Sequence, residues 1–153
     1  MHHDFIEQLD VAIAKHQVPS SSVELEITEG LLMHDLQRSV EILKQLHRRG
    51  FKISIDDFGT GYSSLAYLKL FPLDKLKIDK SFIDNISSNG ADRSIVRTII
   101  DLAKHLNLKV VAEGVETLEQ FELLNEYQCD EIQGYYFSKP ISAQAIIEFS
   151  HEH

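Results

Sequence analysis

The sequence is poor in the features that mark several protein classes. Cys129 is its only cysteine, so an intrachain disulfide is impossible and a reducing compartment, the cytoplasm, is expected. In such a chain Cys129 reads as a small buried hydrophobe. No apolar run approaches the roughly 20 residues that cross a bilayer, so no membrane segment is expected. The opening "MHHDFIEQLD" has no basic stretch followed by an apolar one, so no signal peptide is expected. Acidic residues outnumber basic ones 24 to 15, for a net charge of −9. Without a basic footprint, DNA and other general nucleic-acid binding are not expected. The eight histidines are scattered, four of them near the termini (His2, His3, His151 and His153), and no H-E-x-x-H spacing occurs. Linkers, low-complexity tracts and a G-x-G-x-x-G turn are also missing.

What remains is an alternation of strand and helix patterns over 153 residues, one domain's worth of chain. Phe5, Leu9 and Ile13 recur at helical spacing in "DFIEQLDVAIAKHQ". Pro19 and its serines break the chain before the strand "VELEIT". Residues 35–49 carry Leu36, Val40, Leu43 and Leu46 on one face and stop at Gly50. The strand "KISID" follows, then the loop "FGTGYSS", a short helix through Leu65 and Leu68 that ends before Pro72, and the strand "LDKLKID". "ADRSIVRTIIDLAKHLN" is a longer helix leading into "LKVVAEG". "TLEQFELLNEY" opens on Thr117 as N-cap with Gln120 as its partner. "CDEIQGYYF" is the fifth strand, and "SAQAIIEFS" forms a last helix behind Pro140. Such alternation predicts parallel, right-handed α/β units, either an open doubly wound sheet or a (β/α)8 barrel. Strands such as "KVVA", apolar at consecutive positions, suit a sheet covered on both faces.

Each predicted strand carries polar groups toward its C-terminal end: Glu26 with Glu29, Asp56 with Asp57, Lys77 with Asp79, Glu113 with Glu116, and Gln133. A parallel barrel would gather these on the rim where barrel enzymes work. A ring of carboxylates around one lysine is unfavourable unless cations share it, and hard oxygen donors select Mg²⁺, Mn²⁺ or Ca²⁺. The bland alternative is that residues such as Glu116 and Asp79 cap the following helix. Gly59 and Gly61 read either as turn residues or as positions where backbone approaches a ligand.

Five stretches in order, "ELEITE", "SIDDFGTGYSS", "LKIDKSFI", "VVAEGVET" and "IQGYYFSKP", together resemble the signatures of the EAL family of cyclic di-GMP phosphodiesterases. The resemblance implies a partial (β/α)8 TIM-type barrel with five parallel strands present. It implies hydrolysis of cyclic di-GMP to linear pGpG by water, with two Mg²⁺ or Mn²⁺ ions. Glu26, Asp56, Asp57 and Glu113 would bind metal, Asp56 bridging both ions. Lys77 would hold the attacking water, Gln133 would orient it or the phosphate, and Glu113 would serve as general base. Glu29 would fix the loop after Asp57, a loop that in the family joins metal binding to homodimer contact, with Asp79, Glu116, Gly59 and Gly61 in supporting positions. Tyr136, Phe137 and Pro140 would offer surfaces to a guanine. The Glu-Ala-Leu segment itself and the next strand, with its metal-binding asparagine, are expected before Asp4 and do not occur, so the chain reads as the C-terminal two-thirds of one domain, with upstream sensory domains expected in the parent. Two other readings are an inactive binding or dimerisation module and an unrelated metal-dependent barrel enzyme of the enolase type.

Overall fold

The structure, a computed structural model, describes residues 3–60, 68–142 and 144–146. Helix α1 (His3–His16) leads to strand β1 (Glu24–Thr28), the short α2 (Glu29–His34) and α3 (Leu36–Arg48). Strands β2 (Lys52–Phe58) and β3 (Lys75–Ile78) follow, then α4 (Lys80–Asp84), α5 (Gly90–His105), β4 (Lys109–Ala112), α6 (Leu118–Glu126) and β5 (Glu131–Ile132). All neighbouring strands pair in parallel, and the five lie in sequence order β1-β2-β3-β4-β5. That order is the consecutive winding of a barrel and not the reversal of a doubly wound sheet.

Local chemistry sets most boundaries where the sequence places them. The Asp35 side chain accepts from the Arg38 N–H and starts α3. Thr117 and Gln120 form a reciprocal capping box at α6, which satisfies donors that a helix start would otherwise leave unpaired. Two short helices, α2 and α4, were not anticipated; each is a single turn or so packed directly behind a strand end. The fifth strand is shorter than its sequence suggests, because Gly134 turns the chain out of the sheet. A Cβ at Gly134 would lie 2.1 Å from the Val115 carbonyl oxygen, so only glycine permits that approach. The expected helix through Leu65 lies outside the described residues, as does most of the one behind Pro140.

Alternation along the strands separates two chemically different faces. Ile53, Ile55, Leu76, Ile78, Val110 and Ala112 all point to one side and are almost wholly buried against α3, α5 and α6 residues including Leu46, Ile100 and Leu124. Each such side chain contributes about 1.5–3 kcal/mol by leaving water. The opposite face carries Glu24, Glu26, Ser54, Asp56, Lys75 and Lys77, so β1, β2 and β3 are polar on that face, whereas β4 is apolar on both, with Val111 buried there as Val110 and Ala112 are on the other.

That polar face is drawn inward by charge. The Lys75 ammonium, on the central strand, lies 3.0 Å from Glu24 on β1 and 2.7 Å from Glu131 on β5. In a flat sheet the β1 and β5 backbones would stand about 19 Å apart. One ammonium meets side chains from both edges because the sheet curls around it. Lys109 adds a longer contact of 3.4 Å to Glu131.

Two expectations follow. Gln120 is buried, accepts from the Glu116 and Thr117 N–H groups at 2.8 and 3.1 Å, and donates to the Ile83 carbonyl at 3.1 Å. Gln120→Ala should therefore lower unfolding free energy by about 1–3 kcal/mol, read from denaturant melts; a loss under about 0.5 kcal/mol would contradict this account of the α4–α6 junction. The hydrogen bond from Lys75, with lesser help from Lys109, holds the Glu131 carboxyl below its ordinary range. A lowered carboxyl pKa stabilises the fold above the unfolded-state value, and that contribution is lost as pH falls through the folded-state value. Glu131→Gln should thus flatten the acid limb of a stability-versus-pH curve.

Candidate functional site

The second ionic layer sits one pleat above Lys75, toward the C-terminal ends of the strands. Lys77 occupies its centre and is 5% exposed. Its Nζ lies 2.8 Å from Glu26 Oε1, 2.8 Å from Glu113 Oε1 and 3.2 Å from Asp56 Oδ1. These partners come from β1, from just beyond β4, and from β2. Burial alone would lower the Lys77 pKa, but the Glu113, Glu26 and Asp56 carboxylates around the ammonium outweigh it, and the net shift is upward. Lys77 is therefore a fixed positive charge at neutral pH and cannot serve as a base.

Adjacent aspartates on a regular strand would face opposite sides. Here the β2–β3 register slips between Ile55 and Phe58, inserting one extra residue on β2. Asp57 takes that place with φ of 55°, a left-handed conformation that aspartate tolerates better than most residues. The bulge keeps Asp57 on the side of Asp56, Asp79 and Lys77. Desolvation raises the Asp57 pKa, and the neighbouring Asp56 and Asp79 carboxyls push it further the same way. Two carboxylates and a bulge thus occupy the strand end that the sequence marks as "DDFG".

The remaining predicted positions divide. Glu29 is buried, and its Oε2 accepts the Gly59 N–H at 3.1 Å, which ties the start of α2 to the residue just past the bulge. Gly59 has φ of 100°, and a Cβ there would come within 3.0 Å of the Phe82 ring; turn conformation and close packing explain this glycine. Gly61 lies outside the described residues. Asp79 caps α4 through the Ser81 N–H at 3.0 Å and also bonds the Ser81 hydroxyl, while remaining beside Asp57. Glu116 turns away from the cluster to an ion pair with Lys80 at 2.5 Å. Gln133 is exposed; its backbone bonds Ala112 and Val115, and among the described residues no hydrogen bond joins its side chain to the Lys77 group. Tyr136 stacks on Phe121 at 5.5 Å between ring centres, and Phe137 meets both rings edge-on. Pro140 is exposed beyond them.

Lys75, Glu24 and Glu131 escaped the sequence reading. The signal was available: Glu24 and Glu26, and Lys75 and Lys77, are two residues apart on single strands and must share a face.

Among the described residues, no group of three or more Asp, Glu, His or Cys side chains is already spaced to enclose a metal ion; the carboxylates surround an ammonium instead. The donor set nonetheless suits a hard cation. Three carboxylates against one ammonium leave an excess of two negative charges. Asp56 Oδ1 is near Lys77 but outside hydrogen-bond geometry, so it is a buried oxygen without a donor. Oxygen-only donors with surplus negative charge match the preferences of Mg²⁺ and Mn²⁺.

Comparison with known proteins gives this geometry its context. The family model described as EAL domain matches residues 1–140. The chain is 45% identical over 144 residues to the cyclic di-GMP phosphodiesterase NbdA of Pseudomonas aeruginosa, covering 94% of this chain and 18% of that protein. It is 43% identical over 146 residues to the bifunctional diguanylate cyclase/cyclic di-GMP phosphodiesterase MucR of the same organism, covering 95% of this chain and 21% of that protein. The chain therefore spans about a fifth of the length of these curated relatives. Among solved structures, the MucR phosphodiesterase in complex with c-di-GMP superposes with a TM-score of 0.92 at 43% identity, covering 95% of this chain and 59% of that one. The EAL domain of Mycobacterium smegmatis DcpA gives 0.92 at 39% identity, over 99% of this chain and 68% of that one. Klebsiella pneumoniae BlrP1 in a manganese/cy-diGMP complex gives 0.84 at 34% identity, over 91% and 36%. Strand order, the ionic mouth and these matches agree: the chain belongs to the EAL domain family and forms a part of its TIM-type barrel.

Proposed function

We propose that this chain is the catalytic-face portion of a cyclic di-GMP phosphodiesterase, with water cleaving one P–O3′ bond to give linear pGpG. The observation that carries the reading is the convergence of Glu26, Asp56 and Glu113 on the buried Lys77 ammonium, in a chain whose relatives include proteins named for that activity.

Glu26, Asp56, Asp57 and Glu113 are the residues that would hold two divalent ions, Mg²⁺ or Mn²⁺. Such ions, when bound, stabilise the attacking and leaving oxygens of an in-line displacement. The chain's own side chains supply the rest. Lys77, permanently charged, orients the water and offsets negative charge growing on the phosphoryl oxygens. Glu113 keeps Oε1 on Lys77 and takes the water's proton on its other oxygen. As the P–O3′ bond breaks, the 3′ oxygen is protonated from solvent. Gln133, exposed just beyond β5, would contact phosphate. Glu29 holds the backbone at Gly59 so that the bulge, and with it Asp57, keeps its position. The aromatic group of Tyr136 and Phe137, with Pro140, offers flat apolar surface to a guanine. The protein acts in the cytoplasm as a homodimer, with sensory domains elsewhere in the polypeptide.

A second reading has its own support. Among the described residues the carboxylates close on the Lys77 ammonium and no group of them is already spaced around a metal. On that reading these residues bind cyclic di-GMP or dimerise without turnover.

The two are separated by incubating the purified protein with cyclic di-GMP and Mn²⁺ and following linear product by chromatography. Product that vanishes with a chelator and returns with Mn²⁺ supports the enzyme; binding with no product supports the module. Lys77→Met should lower kcat by about 10²–10⁴-fold, the usual range for a group acting on the reacting water. Wild-type kcat in the Lys77→Met variant would remove Lys77 from the mechanism.

A further inference from the structure

The lower ionic layer repeats the upper one, two residues earlier, on β1 and β3, and its third member lies two residues before Gln133. Glu24 precedes Glu26 on β1, Lys75 precedes Lys77 on β3, and Glu131 on β5 precedes Gln133. Residues two apart on a strand share a face and are offset by about 6.6 Å along it. Wherever the lower triad pins a strand, it also sets where that strand's upper residue stands.

The pinning is strongest where it is most needed. β1 and β5 are the two ends of the five-stranded order, each with a single strand neighbour among the described residues. Glu26 is half exposed and has little packing of its own to fix its distance from Lys77. The Lys75 ammonium reaches Glu24 and Glu131 together, at 3.0 and 2.7 Å, while its own side chain is only 20% exposed. No other cation among the described residues pairs with carboxylates from both end strands.

We propose that Lys75 is a positioning residue for the Lys77 site: by tying β1 to β5 across the polar face, it holds the curvature that brings Glu26 to Lys77 and sets Gln133 at the rim. It touches no reacting atom. Only the kinetic arm of its test rests on the phosphodiesterase reading.

The experiment compares Lys75→Met, Lys75→Arg and Glu131→Gln with Lys52→Met as control; Lys52 makes an exposed ion pair to Asp74 at 2.9 Å and bridges no end strands. Three quantities are read in the purified protein. They are the ¹⁵N ammonium resonance of Lys77 without metal, Mn²⁺ affinity by calorimetry without substrate, and kcat and KM for cyclic di-GMP. Lys75→Met should shift or broaden the Lys77 resonance, weaken Mn²⁺ binding about tenfold and lower kcat by about tenfold, as loss of groups that orient ligands does, with KM within about twofold. Glu131→Gln should move the same quantities less, Lys75→Arg should restore them, and Lys52→Met should leave them alone. The proposal is overturned if Lys75→Met lowers only the melting temperature, or if Lys75→Arg is as impaired as Lys75→Met. If Lys75→Met does not fold, Glu131→Gln decides by the same criteria. If the wild-type protein neither hydrolyses cyclic di-GMP nor binds Mn²⁺, the phosphodiesterase reading fails on its own, and the Lys77 resonance still judges Lys75.

Discussion

A buried ammonium surrounded by carboxylates from separate strands is the constraint on which this fold segment turns. Lys77 brings Glu26, Asp56 and Glu113 within 2.8–3.2 Å, and each charge there is offset by the others. Three carboxylates alone would repel; a lone ammonium at that depth would lose hydration with nothing in return. Their mutual attraction explains why a sheet can carry a polar inner face.

The same face shows how curvature and chemistry are joined. On the outer side of the strands, Ile53, Ile55, Leu76, Ile78 and Val110 pack against helices and supply ordinary hydrophobic stabilisation. On the inner side, two lysines of one central strand collect acids from strands on either side of it. Apolar packing is indifferent to direction and would accept many degrees of bend. Ion pairs at hydrogen-bond distance would not. The layer at Lys75 is balanced, with Lys75 and Lys109 against Glu24 and Glu131, whereas the layer at Lys77 carries more negative charge than positive. A balanced set of charges suits a structural tie; an excess of carboxylate oxygens matches the preferences of hard cations.

Around the upper layer, backbone devices carry much of the precision. The bulge at Asp57 and the close approach of Gly59 to Phe82 place side chains that strand geometry alone would misdirect. The buried Glu29 carboxylate then holds the chain after the bulge. These features concentrate at the mouth, while the helices behind it end on simple caps such as Asp35 and Thr117.

The amino-acid sequence by itself determined the class of fold, the five parallel strands and the strand ends that bear the charged groups. Those follow from period-two and helical spacing, from caps at Asp35 and Thr117, and from five ordered motifs, all of which are local or linear properties. Tertiary structure alone decided which charges meet. Glu116 and Asp79 lie on strand ends just as Glu113 does, yet Glu116 turned to Lys80 and Asp79 to its own helix start. Asp57 joined Asp56 only through an extra residue that no spacing rule reveals. Lys75 found acids on both end strands only because the sheet curls. Ion pairing depends on distances in space between strands far apart in the chain, and the bend that sets those distances belongs to the assembled sheet.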